Sequence, residues 1–325
     1  MSDVSSDVRD TSAPPPDPGH VALPEGRRLK LKRRGKIFFR EVAGPEGAPV
    51  LLLLHGWVAS GGLNWHHAFE PLGRHFRVIA PDLRGHGRGI RSWRRFRLED
   101  CADDVAALLD ELGVDSAIAG GYSMGGPIAK LLWRRHPSRV AGLVLCATSH
   151  RPVRGNTVER AAFTSAMAVV AGTARIGQLA TGIPTALRRP LLNLIDREPP
   201  SMRPAWAAAE VGRHDPRMLM EAGVALGRYS AEGWFRTIDV PTAIVVTTQD
   251  RAILPEDQMQ LALNIPGAQV FCIDLGHGAC IDPRFAEGLV KACRSVASRA
   301  ALAEVPARRA RVRGWVMAHV DSLLR

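Results

Sequence analysis

Six short strand-like runs, alternating with helical stretches, restrict this chain to very few architectures. They fall at Ala48–His55, Arg77–Asp82, Ser116–Ser123, Val140–Ser149, Pro241–Asp250 and Ala268–Gly276. The first is continuously apolar, as expected of a strand covered on both faces in a parallel sheet. Helix candidates lie between them at Leu98–Leu112, Gly125–His136, Pro255–Asn264 and Asp282–Ala303. In the first of these Val105, Leu108, Leu109 and Leu112 recur at the spacing of one helical face. Such alternation specifies an α/β fold, a mostly parallel sheet with helices on both sides. Ahead of it, Arg28–Val42 alternates polar and apolar residues around Gly35, the pattern of a β-hairpin.

One connection breaks the rhythm. Residues 150–240 hold no convincing strand, are rich in Ala, Met, Leu and Arg, and are interrupted by Pro184, Pro190, Pro199, Pro200 and Pro204. A structureless loop of that length is implausible in a compact domain, so the segment reads as a helical cap inserted over the carboxyl edge of the sheet. The expected organisation is a disordered N-terminal tail over 1–24, a core over 25–149 and 241–305, the cap over 150–240, and an amphipathic C-terminal helix over 306–325. In that helix Val312, Trp315, Val316, His319, Val320 and Leu323 share one face, with arginines upstream. It has three places to go: the core, a second copy of the chain, or an anionic membrane surface. The chain is accordingly expected as a monomer or homodimer.

Charge excludes one class of partner. The formal net charge is +11, yet Glu25–Arg40 and Pro306–Arg325 together carry the whole excess, and the remainder is neutral. A nucleic-acid footprint covers the working face of a domain, so none is expected here. The basic runs Arg27–Lys36 and Arg91–Arg97 read as a solvated hairpin and a solvated loop, with anionic lipid or phosphate binding as the competing reading. No apolar stretch approaches the roughly 20 residues of a membrane span. The N-terminus lacks a secretory pattern. The five cysteines, Cys101, Cys146, Cys272, Cys280 and Cys293, form no CxxC pair and read as free thiols of a cytoplasmic protein without a metal site.

The chemistry sits at strand ends. Gly121-Tyr122-Ser123-Met124-Gly125 follows one predicted strand and opens a predicted helix, the setting in which G-x-S-x-G is a sharp turn that lifts a nucleophilic hydroxyl above the sheet. A serine needs a base, and the base an orienting acid. Asp250 ends a later strand, and His277, in Gly276-His277-Gly278, follows the last one. All three lie at carboxyl ends of strands, where such sheets bind ligands. A developing oxyanion needs two amide donors. Met124 N–H, just after the nucleophile, is one, and Trp57 N–H, in the loop after the first buried strand, is the other.

The residues HGW (55–57), PDLRGHG (81–87), GYSMGG (121–126), Asp250 and GHG (276–278) together resemble the α/β-hydrolase superfamily. They are most similar to cap-bearing bacterial esterases and related serine hydrolases, over about residues 28–303. The resemblance implies an eight-stranded, mostly parallel sheet and the roles of nucleophile, acid and base for Ser123, Asp250 and His277. Serine at the elbow separates the chain from epoxide hydrolases and haloalkane dehalogenases, which place Asp there. The expected function is hydrolysis of carboxylic esters, with a small-molecule ester or lipid-like substrate, a lipophilic acyl group favoured, and no cofactor. Thioester or phospholipid cleavage, acyl transfer, and cofactor-free perhydrolase or haloperoxidase chemistry are open to the same triad. A non-catalytic binding module is the alternative from another class.

Other residues divide between site and scaffold. Trp65, Phe163, Met167, Met202 and Trp206 are candidates to line an acyl pocket, along with Met218 and Met220, though an apolar stripe at helical spacing is also ordinary core. His55 and His86 read as loop packing, as do Asp82 and Arg84. Asp103 and Asp104 read as solvent-facing, and His66, His67 and His75 as helix-surface residues. Asp282 is expected to cap the last helix, with Pro283 at its first position.

Overall fold

Leu51, Leu52, Leu53 and Leu54 are all fully buried. Because successive side chains of a strand point to opposite faces, the strand they form must be covered from both sides. The computed structural model, which describes residues 21–180 and 203–302, supplies that cover. Eight strands form one sheet: β1 (Gly26–Leu31), β2 (Gly35–Val42), β3 (Val50–Leu54), β4 (Arg77–Pro81), β5 (Ala117–Tyr122), β6 (Val140–Cys146), β7 (Thr242–Thr247) and β8 (Gln269–Ile273). Their spatial order is β1-β2-β4-β3-β5-β6-β7-β8. The hairpin β1–β2 pairs antiparallel, as does β2 with β4, and every other pairing is parallel.

Two apolar layers clothe the sheet. On one face α3 (Leu98–Glu111) and α4 (Gly125–Arg135) contribute Val105, Leu108, Leu109, Ile128 and Leu132, and α8 (Pro255–Asn264) adds Leu261. On the other, α1 (Gly61–Trp65), α2 (Phe69–Gly73) and the helix over 283–302, α9, contribute Trp65, Phe69, Leu72, Phe285 and Leu289. The short helices α1 and α2 carry too few turns to show periodicity, so the helix expected around His66, His67 and His75 had no range. Asp282 Oδ1 accepts from Arg284 N at 2.9 Å, so it does cap α9. Of the tail expected over 1–24, residues 21–24 are described, and Leu23 packs on the second layer. The C-terminal helix expected over 306–325 lies outside the described residues.

Between β6 and β7 the inserted helices are α5 (Thr157–Ala180), α6 (Arg203–Gly212) and α7 (Pro216–Arg228). Helix α7 lays Met218, Ala222 and Leu226 into the same core as α3, so Met218 is core rather than pocket lining. The α6–α7 junction is fastened by polar groups. Glu210 Oε2 accepts from Ser60 Oγ at 2.7 Å, Glu210 Oε1 from Arg88 Nη1 at 2.8 Å and from Arg213 Nη1 at 3.0 Å, and His214 Nδ1 from Gly87 N at 2.8 Å. Among the described residues no helix is long and apolar enough to cross a membrane.

Two more expectations need correction. Asp104 is buried, not solvent-facing: Arg84 grips it with two hydrogen bonds of 2.7 Å and Arg34 adds one of 3.0 Å. Trp65 is fully buried between Tyr122 and Phe285, so it belongs to the core and lines no pocket.

Candidate active site

The turn after β5 holds Ser123 at φ +49°, a left-handed conformation that costs a non-glycine residue about 1–3 kcal/mol. Its neighbours make room for it. A Cβ on Gly121 would lie 2.3 Å from Gly125 O, and one on Gly125 would lie 2.0 Å from Leu54 O. Only glycine lets β5, the turn and α4 cross this closely. Ser123 N donates to Cys146 O (3.0 Å), and Ser123 O accepts from Thr148 Oγ1 (2.9 Å), so the turn is anchored to the end of β6.

Ser123 Oγ lies 3.0 Å from His277 Nε2, and His277 Nδ1 lies 2.8 Å from Asp250 Oδ2. The three residues arrive from the ends of β5, β7 and β8, so the parallel strands converge what the chain separates. Asp250 is buried and heavily bonded. Its Oδ1 accepts from Ala252 N and Ile253 N, both at 2.9 Å, and its Oδ2 from Thr247 Oγ1 at 2.8 Å. Burial pushes the Asp250 carboxyl up, but the bonds from His277, Ile253 N and Thr247 outweigh it and hold the group below the ordinary carboxylate range. An ionised Asp250 favours the tautomer with its proton on Nδ1, leaving Nε2 free to accept from Ser123.

Two supports had no signal in the sequence. Gln258, fully buried on α8, donates to Thr247 Oγ1 (2.9 Å), Asp250 Oδ2 (3.3 Å) and Ile253 O (2.8 Å). Tyr122 Oη donates to His277 O at 2.5 Å, and burial pushes the Tyr122 phenol far up, keeping it a donor. Nothing in the sequence marked Tyr122 for this role. Nothing marked Gln258.

The loop after β3 approaches from the other side, where a Cβ on Gly56 would sit 3.4 Å from Ser123 Cβ. His55 fixes this loop. Leu83 N donates to His55 Nε2 at 2.9 Å, and His55 Nδ1 lies 2.8 Å from Gly56 O. Burial lowers the imidazole to about 3, so the ring is neutral and its single proton lies on Nδ1, donating to Gly56 O. Gly56 N donates to Asn64 Oδ1 at 2.8 Å. His55 therefore packs the loop, as its motif suggested. His86 is buried beside it, with ring centroids 5.3 Å apart.

Of the pocket candidates, Met167 shares a neighbour with this loop, since Gly223 packs against both Met167 and the Trp57 indole. Trp57 Nε1 donates to Leu219 O on α7 at 2.9 Å. Phe163 packs beside Gly227. Trp206 is buried on α1, its ring 5.5 Å from that of His66. Met202 lies outside the described residues.

Comparison with known proteins agrees with this geometry. The profile of the α/β hydrolase fold matches residues 49–283. The chain is 39% identical over 103 residues to a bifunctional esterase/perhydrolase of Acinetobacter calcoaceticus, covering 31% of this chain and 37% of that protein. It is 36% identical over 99 residues to epoxide hydrolase B of Mycobacterium tuberculosis, covering 30% of this chain and 28% of that protein. The matched segments thus span well under half of these relatives. A solved thermophilic esterase of Thermogutta terrifontis superposes with a TM-score of 0.64 at 25% identity, covering 85% of this chain and 99% of that one.

Proposed function

The chain belongs to the α/β-hydrolase family, and on that premise we propose that it is a serine hydrolase that cleaves carboxylic esters through an acyl-enzyme on Ser123. One observation carries this reading: the unbroken relay from Ser123 Oγ to His277 (3.0 Å) to Asp250 (2.8 Å). His277 Nε2 takes the hydroxyl proton as Ser123 Oγ attacks the acyl carbon, and Asp250 stabilises the imidazolium that forms. The proton then passes to the departing alkoxide. Water, deprotonated by His277, releases the acid and restores the serine.

The oxyanion falls to the amides of Met124 and Trp57. In a trans peptide the C=O and N–H point opposite ways within one plane, so His55, by clamping Gly56 O, aims Trp57 N–H away from its own ring. Neither amide has a protein acceptor among the described residues. Helices α5–α7 serve as the cap, and Met167 beside Trp57 favours a lipophilic acyl group. Likeness to an esterase/perhydrolase favours a second acceptor: hydrogen peroxide in place of water, giving a peracid.

A fluorophosphonate probe and short p-nitrophenyl esters test the reading together. The expected result is labelling at Ser123, lost in Ser123→Ala together with ester turnover, by about 10⁶-fold in kcat. Labelling at another residue, or a loss of only a few-fold, overturns it. Labelling without ester turnover moves the reaction to acyl transfer.

A further inference from the structure

A cavity of about 350 Å³ lies between α5, α7 and the segment leading into α3, and its wall includes none of Ser123, Asp250 and His277. That volume is at the small end of ligand pockets, roughly 300–1,000 Å³. We propose that this cavity is a second binding site, for an amphipathic carboxylate with one medium-length apolar chain.

The wall has two characters. Phe96, Leu98, Ala168, Ala171, Val224 and Ala225 give it apolar sides, while Arg95, Arg97, Arg175 and Arg228 face it with only Glu99 and Glu221 in opposition. Both carboxylates are already engaged. Glu221 accepts from Arg217 Nη1 at 2.9 Å and from Phe96 N at 2.8 Å and lies 3.4 Å from Arg175 Nη1, and Glu99 lies 3.6 Å from Arg97 Nε. Arg95 and Arg228 have no ion-pair partner among the described residues. The cavity therefore keeps a surplus of positive charge over an apolar floor, which suits an anionic head on a hydrocarbon chain and suits neither a cation nor a neutral polar ligand.

Helix α3 begins here, and its N-cap residue, Arg97, offers no side-chain acceptor to the first-turn amides, although Glu99 and Asp100 lie in that turn. The positive end of a helix favours an anion, and a carboxylate placed there would let its chain cover Phe96 and Val224. The basic run Arg91–Arg97, read from sequence as a solvated loop, divides accordingly: Arg91 bonds Gly87 O and Arg213 O, whereas Arg95 and Arg97 face the cavity.

The site stands independently of what Ser123 does. Isothermal titration of the full chain with decanoate at low ionic strength, beside decanol as the neutral analogue, tests it. Saturable one-to-one binding of decanoate is expected, with decanol at least tenfold weaker. The double charge reversal Arg95→Glu/Arg228→Glu, both on exposed side chains, should weaken decanoate at least tenfold. Absence of saturable binding, equal affinity for decanol, or unchanged affinity in the double reversal overturns the proposal; the last would place decanoate elsewhere on the molecule.

Discussion

The sheet edge and the helical insertion hold their functional groups by different means. At the edge each group is fixed by short bonds from backbone or from compact side chains; Asp250 alone accepts from two main-chain amides, a threonine and a histidine. Beside the apolar face of α7, the insertion meets the body through long charged side chains, Arg88 on Glu210, Arg91 on the Arg213 carbonyl and Arg217 on the Ser92 carbonyl. Much of α5 faces solvent: Val169 is 66% exposed and Ile176 67%. The Ser123–His277–Asp250 relay is therefore carried on strand ends, whereas the insertion rests on helices held by longer side chains.

Four substitutions probe this contrast, in decreasing order of effect. Asp250→Asn should lower kcat by about 10⁴-fold, because the imidazole then loses its tautomer preference; a drop under tenfold would mean the relay is ornamental. Its effect on stability has a defined pH window. A carboxyl held below its unfolded value of about 3.9 contributes stability that is complete above that pH and vanishes as pH falls through the folded value. The stability gap between Asp250→Asn and the parent should therefore close in acid, as equilibrium denaturation at several pH values would register. Glu210→Ala leaves Arg213 and Arg88 without their buried partner and should destabilise the fold by about 3–5 kcal/mol, read from urea midpoints. A smaller loss would mean that the insertion is held by α7 packing instead.

Gln258→Leu strands Thr247 and removes one donor from Asp250, at about 1–3 kcal/mol, with a fall in kcat that exceeds any change in KM. If KM alone moved, Gln258 would not act through Asp250. Val169→Ser, on the exposed side of α5, should change stability by less than about 0.5 kcal/mol. A larger effect in the full chain would show that this face is covered.

What could be read in advance followed the same division. Strand ends were legible because buried parallel strands write continuous apolar runs, and Ser123, Asp250 and His277 each follow one directly. Positions whose role depends on a distant partner left no mark. Asp104 sits on an amphipathic helix and looks like any solvated residue until Arg84 and Arg34 close over it. Gln258 is likewise one polar residue in a helix, and only the return of α8 beneath Asp250 buries it. Trp65 was ambiguous for the opposite reason: a large aromatic fits a pocket or a core equally well, and burial against Tyr122 and Phe285 decided it.

The bond from Tyr122 to the His277 carbonyl has an architectural consequence. Tyr122 adjoins Ser123, so one rung of a single strand grips both the Ser123 turn and the loop that carries His277. If that strand shifts, the two travel in company and their spacing survives. Helices above could be lengthened, exchanged or tilted over a lineage's history while the reactive distance stayed constant, much as interchangeable tools share one chuck.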